Sequence, residues 1–430
     1  MFEVSLATII LVVAILVGVP IAFSIALTTI LYILMTNPAN IIVLPIRMFS
    51  GINSFTLMAL PLFMLAAEIM VRTGISTKLF DFVRIGRIGK AKGGLAYVNI
   101  LASTIFGSIS GAALSDVAGL GNVELKAMEE DGYDRGFSCA VTAASSIASP
   151  LIPPSNIAIL YAGTMSLSVG AVLYAGFIPG LLLVAMQMIY VAANAKRLNL
   201  PKHEKIYEPK ERKEIKRSGL IALGMPLIIL FGILFGVFTP TEAAAVAVLY
   251  ALLVGKFIFR TLRLNDVIES LWTAAKTTAN LFMITSFSAV FAWAIGVEHV
   301  PQKLVSAVLA LSDNKIVLIL IINVILLIVG MWMETSAAVL LFAPILAPVA
   351  YAIGINPIHF AVIMIVNLTI GLITPPVGVV LYAVSDIAKL KFEKVVKSTL
   401  PFIVLALGTL LLISFFEEIS LFFPRLLGFS

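Results

Sequence analysis

Two stretches of the chain place proline and small polar residues inside apolar sequence. Residues 151–162 read LIPPSNIAILYA and residues 372–383 read LITPPVGVVLYA, and they align without a gap, with Pro154 opposite Pro375. Proline interrupts a helix because it removes a backbone hydrogen bond, so each stretch is predicted to be a broken helix. The carbonyl oxygens at such a break suit a cation, and the amide groups suit an anion.

Two glycine-rich or polar stretches are the other candidates for binding chemistry. Residues 105–116 read IFGSISGAALSD and residues 329–338 read VGMWMETSAA, each between apolar runs. Each is predicted to be the tip of a helical hairpin that enters the membrane and turns back. Irregular backbone is tolerated at membrane depth only inside the protein or beside a wet cavity. The tips and breaks are therefore expected to meet near the midplane.

The side chains of these four segments offer mostly hydroxyl oxygens and few carboxylates. They are Ser103, Thr104, Ser108, Ser110, Ser115 and Asp116 at the first tip; Ser145, Ser146, Ser149, Ser155 and Asn156 at the first break; Glu334, Thr335 and Ser336 at the second tip; and Asn367, Thr369, Thr374 and Gly378 at the second break. Such ligands favour a monovalent hard cation over Ca²⁺ or a transition metal. Taken alone, each Ser, Thr or Gly is better explained by helix packing, but recurrence at two tips and two breaks favours binding.

Acidic residues in or near apolar sequence are functional candidates by default. Asp116 and Glu334 are the two at the tips. The alternative for Asp116 is a place in a loop leading to residues 122–135, a charged run that is predicted to be cytoplasmic. Glu242 follows Thr239 in FTPTEAAA, which is typical of a helix N-terminal cap.

The composition indicates an all-α polytopic membrane protein. The chain is 60% hydrophobic and 12% charged, with a mean hydropathy of +1.09, whereas soluble proteins average about 25% charged residues. Its length allows about ten crossings, since each needs about 20 residues. One cysteine and three histidines, far apart, argue against a disulfide, a zinc site or a metalloenzyme. The net charge is +6, and the basic residues lie in short loops between apolar runs. This placement favours cytoplasmic anchoring of the loops over the binding of nucleic acid.

The matching stretches divide the chain into two repeats, 1–195 and 219–430, joined by a cytoplasmic linker at 196–218. The first repeat is predicted to contain scaffold helices in 1–75, a re-entrant hairpin at 94–130, a broken helix at 137–166 and a final span at 170–195. The second is predicted to contain scaffold helices in 219–296, a hairpin at 316–352, a broken helix at 358–386 and a final span at 400–424. Each repeat has an odd number of crossings, so the second is expected to be inverted.

Basic residues support this topology. They cluster at 72–92, 196–217, 256–263 and 389–397, which are all on one side if the termini are on the other. The positive-inside rule makes that side cytoplasmic. Both termini are therefore predicted to be periplasmic, in a bacterial-type inner membrane.

Four segments carry a resemblance to a known family. FGSISGAALSD (106–116), IPPSN (152–156), GVFTPTEAAAVAVLYAL (236–252) and NPIHFAVIMIVNLTIGLITPPVGVVLY (356–382) resemble the large membrane subunit of TRAP transporters, the DctM-like family. The resemblance implies an elevator-type ion-transporter fold and Na⁺-driven import of an organic acid such as sialic acid or a C4-dicarboxylate. It also implies two partners, a small four-helix membrane subunit and a periplasmic substrate-binding protein, with Na⁺ as the co-transported ion and no organic cofactor.

The same resemblance implies two half-sites, each made of one tip and one break. The expected Na⁺ ligands are Ser103, Gly107, Ser145, Ser149, Pro150, Gly330, Gly371, Thr374, Pro375 and Gly378. The expected substrate-binding residues are Ser108, Ser110, Asp116, Ser155, Asn156, Glu334, Thr335 and Ser336. The first break, richer in Ser and Asn, is expected to contribute more to substrate recognition.

Three other functions are compatible with a polytopic chain. One is a stand-alone Na⁺/anion carrier of the divalent-anion symporter type, which needs no partner. Another is an intramembrane enzyme, which the absence of a GxSG-type serine elbow or an HExxH motif disfavours. The third is a passive channel, which would conduct without an ion gradient.

Overall fold

The fold is known from a computed structural model that describes residues 9–429 except 12, 16, 37–40, 203–206 and 313, and except the side chain of Leu311. Within these residues the secondary structure is helical, without a named β-strand, as the composition predicts. Residues 1–8 of the first predicted span and residues 203–206 of the predicted linker lie outside the described residues.

The first half contains nine helices among the described residues from 21 onward. They are α1 (Ile21–Thr36), α2 (Val43–Ile52), α3 (Ala59–Arg72), α4 (Ile75–Arg84), α5 (Gly94–Ser110), α6 (Ala113–Glu130), α7 (Arg135–Ser146), α8 (Asn156–Met165) and α9 (Val169–Asn194). Helices α5 and α6 form a hairpin, and α7 and α8 are two short helices separated by irregular residues 147–155. A long helix, α9, follows them.

The second half repeats this order of elements. Its helices are α10 (Pro209–Leu234), α11 (Pro240–Leu253), α12 (Leu264–Val297), α13 (Val300–Leu311), α14 (Lys315–Trp332), α15 (Thr335–Ala352), α16 (Pro357–Gly371), α17 (Val379–Ala388), α18 (Phe392–Phe415) and α19 (Glu418–Leu426). Helices α14 and α15 form the second hairpin, and α16 and α17 flank irregular residues 372–378. The halves differ in two places: α12 is continuous whereas the α2–α3 pair bends by 61°, and the second half ends in an additional short helix, α19.

Seven of the described helices are long and apolar enough to cross a membrane, or eight if the bent α2–α3 pair is one span. The prediction of about ten crossings counted each broken helix as one span, and the structure divides these into helices of 10–15 residues. The predicted last span at 400–424 is likewise divided, into α18 and the short α19. Arg425 on α19 forms ion pairs with Glu417 and Glu418.

Three segments predicted to be loops are helical instead. Helix α4 lies in the basic stretch 72–92, and α13 lies between the predicted scaffold helices (219–296) and the predicted hairpin (316–352), where no helix is predicted. The charged run 122–135 is not a loop up to Glu130, because α6 continues through it. The cause is amphipathic spacing: in α4, for example, Ile75, Ser76, Leu79 and Phe80 bury one face while charged residues take the other.

The most completely buried of the helices that flank the breaks are α7 and α16, and each leads into a break. Every residue of α16 from His359 to Gly371 is buried, and so is nearly all of α7. Cys139 and His359 are therefore packed side chains, as their apolar surroundings predict. At the periphery, Thr239 and Glu242 form a capping box at the start of α11, as predicted for Glu242. Residues 147–155 of the first break are all buried, whereas in the second break residues 372–374 are buried and Pro376 is exposed.

Candidate functional site

The first hairpin tip is fixed against the first break. Helix α5 ends at Ser110, and Gly111 turns the chain with a φ of +64°, which favours glycine. The side-chain amide of Asn156, at the start of α8, donates a hydrogen bond of 2.8 Å to the Ser110 carbonyl. A Cβ atom on Gly111 would lie 2.6 Å from the Asn156 backbone nitrogen. The tip and the amide end of α8 thus form one unit.

One turn earlier, Gly107 touches the irregular backbone of the break. A Cβ atom on Gly107 would lie 1.9 Å from Ser149 Oγ and 2.9 Å from Ser149 Cα, so only glycine allows this approach. The Gly107 carbonyl accepts the Gly111 amide at 2.7 Å. Nearby, the Ser155 hydroxyl donates to the Pro150 carbonyl and accepts from the Ala158 amide at 3.0 Å. Ser155 therefore caps α8 and is not turned towards a ligand.

A buried polar network joins both limbs of the first hairpin to α7. The Ser103 hydroxyl donates to Glu124 Oε1 at 3.0 Å. The Ser145 hydroxyl lies 3.0 Å from Ser103 Oγ and 3.0 Å from Asn99 Oδ1. The Asn99 amide donates to Thr142 Oγ1 at 2.7 Å. Ser103 and Ser145, which were expected to be cation ligands, are thus brought together beside a carboxylate.

Several oxygens around this network have no hydrogen-bond partner among the described residues. They are both carboxylate oxygens of Asp116, Glu124 Oε2, Ser110 Oγ and Ser149 Oγ. Asp116 and Glu124 are each 1% exposed, and Asp116 lies near Ser103, Ser149 and Glu124. A buried polar group without a partner costs about 1–3 kcal/mol, and more if it is charged. Two carboxylates with free hydroxyls are therefore suited to a cation.

The second hairpin meets the second break in a similar way but without such acids. A Cβ atom on Gly371 would lie 2.3 Å from the Gly330 carbonyl carbon. The Asn367 amide donates at 2.9 Å to both oxygens of Asn323 on α14, and the Asn323 amide donates to Ser414 Oγ at 3.0 Å. The polar contacts named here are neutral, whereas those of the first hairpin include carboxylates.

The irregular residues of the second break form a turn from Thr374 to Gly378. The Thr374 hydroxyl donates to the Ile370 carbonyl at 2.7 Å, and Gly378 has a φ of +60°. Pro375 lies between them in the turn that leads to α17. Thr374 and Gly378 thus lie in one turn, as the sequence predicts, with the close contact of Gly330 and Gly371 directly before it.

Glu334 acts as the N-terminal cap of α15. Its carboxylate accepts the Ser336 amide at 2.9 Å, the Ala337 amide at 3.3 Å and the Ser336 hydroxyl at 3.0 Å. Thr335 is buried, and its hydroxyl has no hydrogen-bond partner among the described residues. These capping contacts occupy both Glu334 oxygens. The negative charge of Glu334 therefore already compensates the backbone amides at the start of α15.

A cavity of about 320 Å³ lies between these tips and the scaffold helices. Ser110, Asn156 and Ser336 line it from the tips and the first break, and Glu68 and Thr277 line it from α3 and α12. Its volume is in the range of small-molecule sites. Ser108 and Ser155 are not among its lining residues. The Ser108 hydroxyl donates to the Ile105 carbonyl at 2.6 Å, and the Ser155 hydroxyl donates to the Pro150 carbonyl. Of the expected substrate residues, three meet in one cavity.

Comparisons with known proteins identify the family. The family model of the DctM component of the tripartite ATP-independent periplasmic transporters matches residues 8–419. The chain belongs to this family. It is 39% identical to the sialic acid TRAP transporter large permease protein SiaM of Vibrio cholerae, over 96% of each chain. It is 36% identical to the C4-dicarboxylate TRAP transporter large permease protein DctM of Pseudomonas aeruginosa, over 95% of each chain.

The fold has a counterpart among solved structures. The crystal structure of the YdaH transporter of Alcanivorax borkumensis covers 92% of this chain with a TM-score of 0.63 at 16% identity, and 90% of that chain is matched. At this identity the likeness concerns the fold alone. The family match and the relatives, which are transporter permeases and not enzymes, identify the chain as a membrane permease component of the DctM family.

The sequence interpretation missed several residues of this DctM-family permease. Glu124, Asn99 and Thr142 complete the network around Ser103, and Glu68 and Thr277 line the cavity from the scaffold. One signal was present: Glu124 follows Asp116 by two helical turns, which places both on neighbouring faces of one helix. The scaffold residues carried no local signal, because their place depends on how α3 and α12 pack against the tips.

Proposed function

We propose that this chain is the large transmembrane subunit of a Na⁺-coupled, binding-protein-dependent TRAP transporter that imports an organic acid by an elevator mechanism. The observation that carries the proposal is the cavity in which Ser110, Asn156 and Ser336 face Glu68 and Thr277. Residues of the hairpins and breaks line one wall, and residues of the scaffold helices line the other. A ligand bound there would lie at the boundary between two bodies that can slide past each other.

The proposed Na⁺ sites are the two contacts between tip and break. The first uses Ser103, Ser145 and Ser149, and its support is the set of buried oxygens without hydrogen-bond partners around Asp116. We assign Asp116 to this cation site and not to the substrate, because an anion beside two buried carboxylates would be repelled. The second uses backbone oxygens near Gly330, Gly371, Thr374 and Gly378, where a neutral cradle suits a monovalent ion.

The proposed substrate is a carboxylate of the sialic acid or C4-dicarboxylate type, since relatives carry those names. Its anionic group would meet the amide end of α8 at Asn156 and the hydroxyl of Ser110. Glu68 lines the same cavity, and its Oε2 atom lies 3.8 Å from Arg72 Nε. This ion pair reduces the repulsion of an anion by the Glu68 carboxylate. The hydroxyls of Ser115 and Thr277 could bind the uncharged polar groups of such a substrate.

The remaining parts of the proposal concern motion, orientation and partners. The hairpins and breaks would move as a transport block against α1–α3 and α10–α12, with both termini periplasmic. A small four-helix subunit would pack on the scaffold, and α12 offers an exposed apolar row at Leu264, Ile268 and Trp272. A periplasmic binding protein would deliver the substrate, as the word tripartite in the family description suggests.

The experiment is uptake into proteoliposomes that contain this chain, its small subunit and its binding protein, under an inward Na⁺ gradient. Labelled sialic acid and labelled C4-dicarboxylates are offered in turn. The proposal expects accumulation of an organic acid that is lost when either partner is omitted. Accumulation by this chain alone would identify a stand-alone carrier, and non-saturating flux without a gradient would identify a channel.

A further inference from the structure

A second cavity lies away from the transport site, between the end of α4 and the start of α10. Its volume is about 730 Å³. Its lining residues are Phe82, Val83, Ile85, Gly86, Tyr207, Pro209, Arg212, Lys213 and Lys216. Helix α4 thus supplies an apolar wall, and helix α10 supplies a wall with three cations.

The shape of this cavity follows from one close helix contact. A Cβ atom on Gly219 would lie 2.1 Å from Phe82 Cβ, so α10 and α4 touch at this glycine. The cavity lies on the Pro209 side of this contact, between residues of the two helices, and is called the wedge below. Because Gly219 is buried in this contact, the closed end of the wedge is fixed by packing.

The cations lie at the edge of the apolar part of α10. From Gly219 onward the helix is apolar, whereas residues 210–217 are charged except for Ile215. At 1.5 Å per residue, Lys213 lies about 9 Å along the axis from Gly219. A hydrocarbon boundary at the start of the apolar segment would place Lys213 at the outer edge of the headgroup layer. Lysine and arginine near the end of a membrane span extend towards that layer.

The three cations are available to a ligand. Among the described residues, none of Arg212, Lys213 and Lys216 forms an ion pair, and no acidic side chain lines the cavity. Acids lie outside the lining. Asp81, Asp131 and Glu211 are near Tyr207 and have interactions of their own, and Glu208 and Glu214 belong to the same charged stretch of sequence as the cations. All three cations are exposed at the open side of the wedge. The cavity therefore has a positive mouth and an apolar floor.

We propose that this cavity binds an anionic phospholipid, with its phosphate among Arg212, Lys213 and Lys216 and an acyl chain along Phe82 and Val83. Arginine binds phosphate through a planar fork of donors and lysine as a point charge. Basic pockets between membrane helices recognise such headgroups. The apolar floor at headgroup depth favours a lipid over a soluble phosphate, which would leave that floor wet.

The test uses the full-length protein in a neutral detergent, with a tryptophan reporter in the cavity wall. Tyr207→Trp is the reporter, and the parent protein with its three native tryptophans provides the background. Phosphatidylglycerol and phosphatidylcholine with brominated acyl chains are titrated as quenchers. We expect brominated phosphatidylglycerol to quench the reporter at about tenfold lower mole fraction than brominated phosphatidylcholine.

Matched variants separate the cavity from general surface charge. Lys213→Gln with Lys216→Gln removes two lining charges and should abolish the preference for phosphatidylglycerol. Lys210→Gln with Arg217→Gln removes two charges from the same helix outside the lining and should preserve it. Val83→Trp on the opposite wall serves as a second reporter if the first variant folds poorly.

Three outcomes would overturn the proposal. They are equal quenching by the two lipids at both reporters, equal loss of preference in both charge variants, and displacement of the lipid by inorganic phosphate at equal concentration. The last outcome would indicate a site for soluble anions. Retained preference with inorganic phosphate present would support the lipid.

Discussion

Gly371 and Gly330 are in backbone contact, so close that a Cβ atom on Gly371 would lie 2.3 Å from the Gly330 carbonyl carbon. This contact joins the second hairpin to the second broken helix. The equivalent contact of the first half is between Gly107 and Ser149. In both halves, a glycine lets a hairpin limb approach the backbone at or directly before the break.

Gly371→Ala is expected to abolish uptake, because the added methyl group would force the second tip away from the break. Overpacking of a tight interior commonly costs about 1–3 kcal/mol, so the melting temperature should also fall. Gly408→Ala on α18 is the matched control, since its Cβ would meet nothing within 4 Å. Loss of uptake in both variants, or in neither, would contradict the role of this contact.

Tips and breaks were largely predictable from sequence, whereas the short amphipathic helices were not. A proline doublet or glycine in an apolar run has a direct local consequence, and irregular backbone does occur at 147–155 and 372–378. Helix α4 is not evident from the sequence, because Lys78, Asp81 and Arg84 are interspersed with its apolar residues. Recognition of its apolar face required the packing partners of Leu79 and Phe80, which only the fold provides.

Glu124→Gln is expected to weaken Na⁺ activation of uptake. The amide can still accept the Ser103 hydroxyl, but the negative charge beside the proposed cation is lost. We expect the Na⁺ concentration for half-maximal uptake to rise about tenfold, which corresponds to about 1.4 kcal/mol. Glu130→Gln, an exposed position on the same helix, is the control and should leave Na⁺ activation unchanged. An unchanged Na⁺ response in Glu124→Gln would remove this residue from the cation site.

Burial explains why Glu124 was missed. In sequence it belongs to a run of charged residues that ends at Arg135, and its neighbours Lys126, Glu129 and Glu130 are exposed. Only the packing of α6 against α5 and α7 places its carboxylate beside Ser103. Asp116 was recognised as functional, but its neighbour Glu124 changes the chemistry that it can support.

Ser110→Trp is expected to abolish uptake by filling the cavity that Ser110 shares with Asn156 and Ser336. A tryptophan side chain would occupy much of its about 320 Å³. Ser306→Trp is the control, because Ser306 is exposed on α13. Both variants should be extracted and purified in similar amounts. Normal uptake by Ser110→Trp would show that the substrate binds elsewhere.

Thr239→Ala is expected to destabilise the protein without altering its substrate preference. The Thr239 hydroxyl accepts the Glu242 amide at 3.3 Å, and Glu242 accepts the Thr239 amide at 2.8 Å in return. Loss of such a cap costs about 0.5–2 kcal/mol. Thermal unfolding in detergent should show a lower midpoint, and Thr239→Ser should restore it. Equal stability of all three proteins would contradict the capping role.

The central claim is that Na⁺ binding at the tip and break contacts drives entry of an organic acid. The most direct measurement compares initial uptake by the complete reconstituted system under an inward Na⁺ gradient with uptake under an equal K⁺ gradient. We expect saturable accumulation with Na⁺ and only background uptake with K⁺. Equal accumulation in the two conditions would contradict the account.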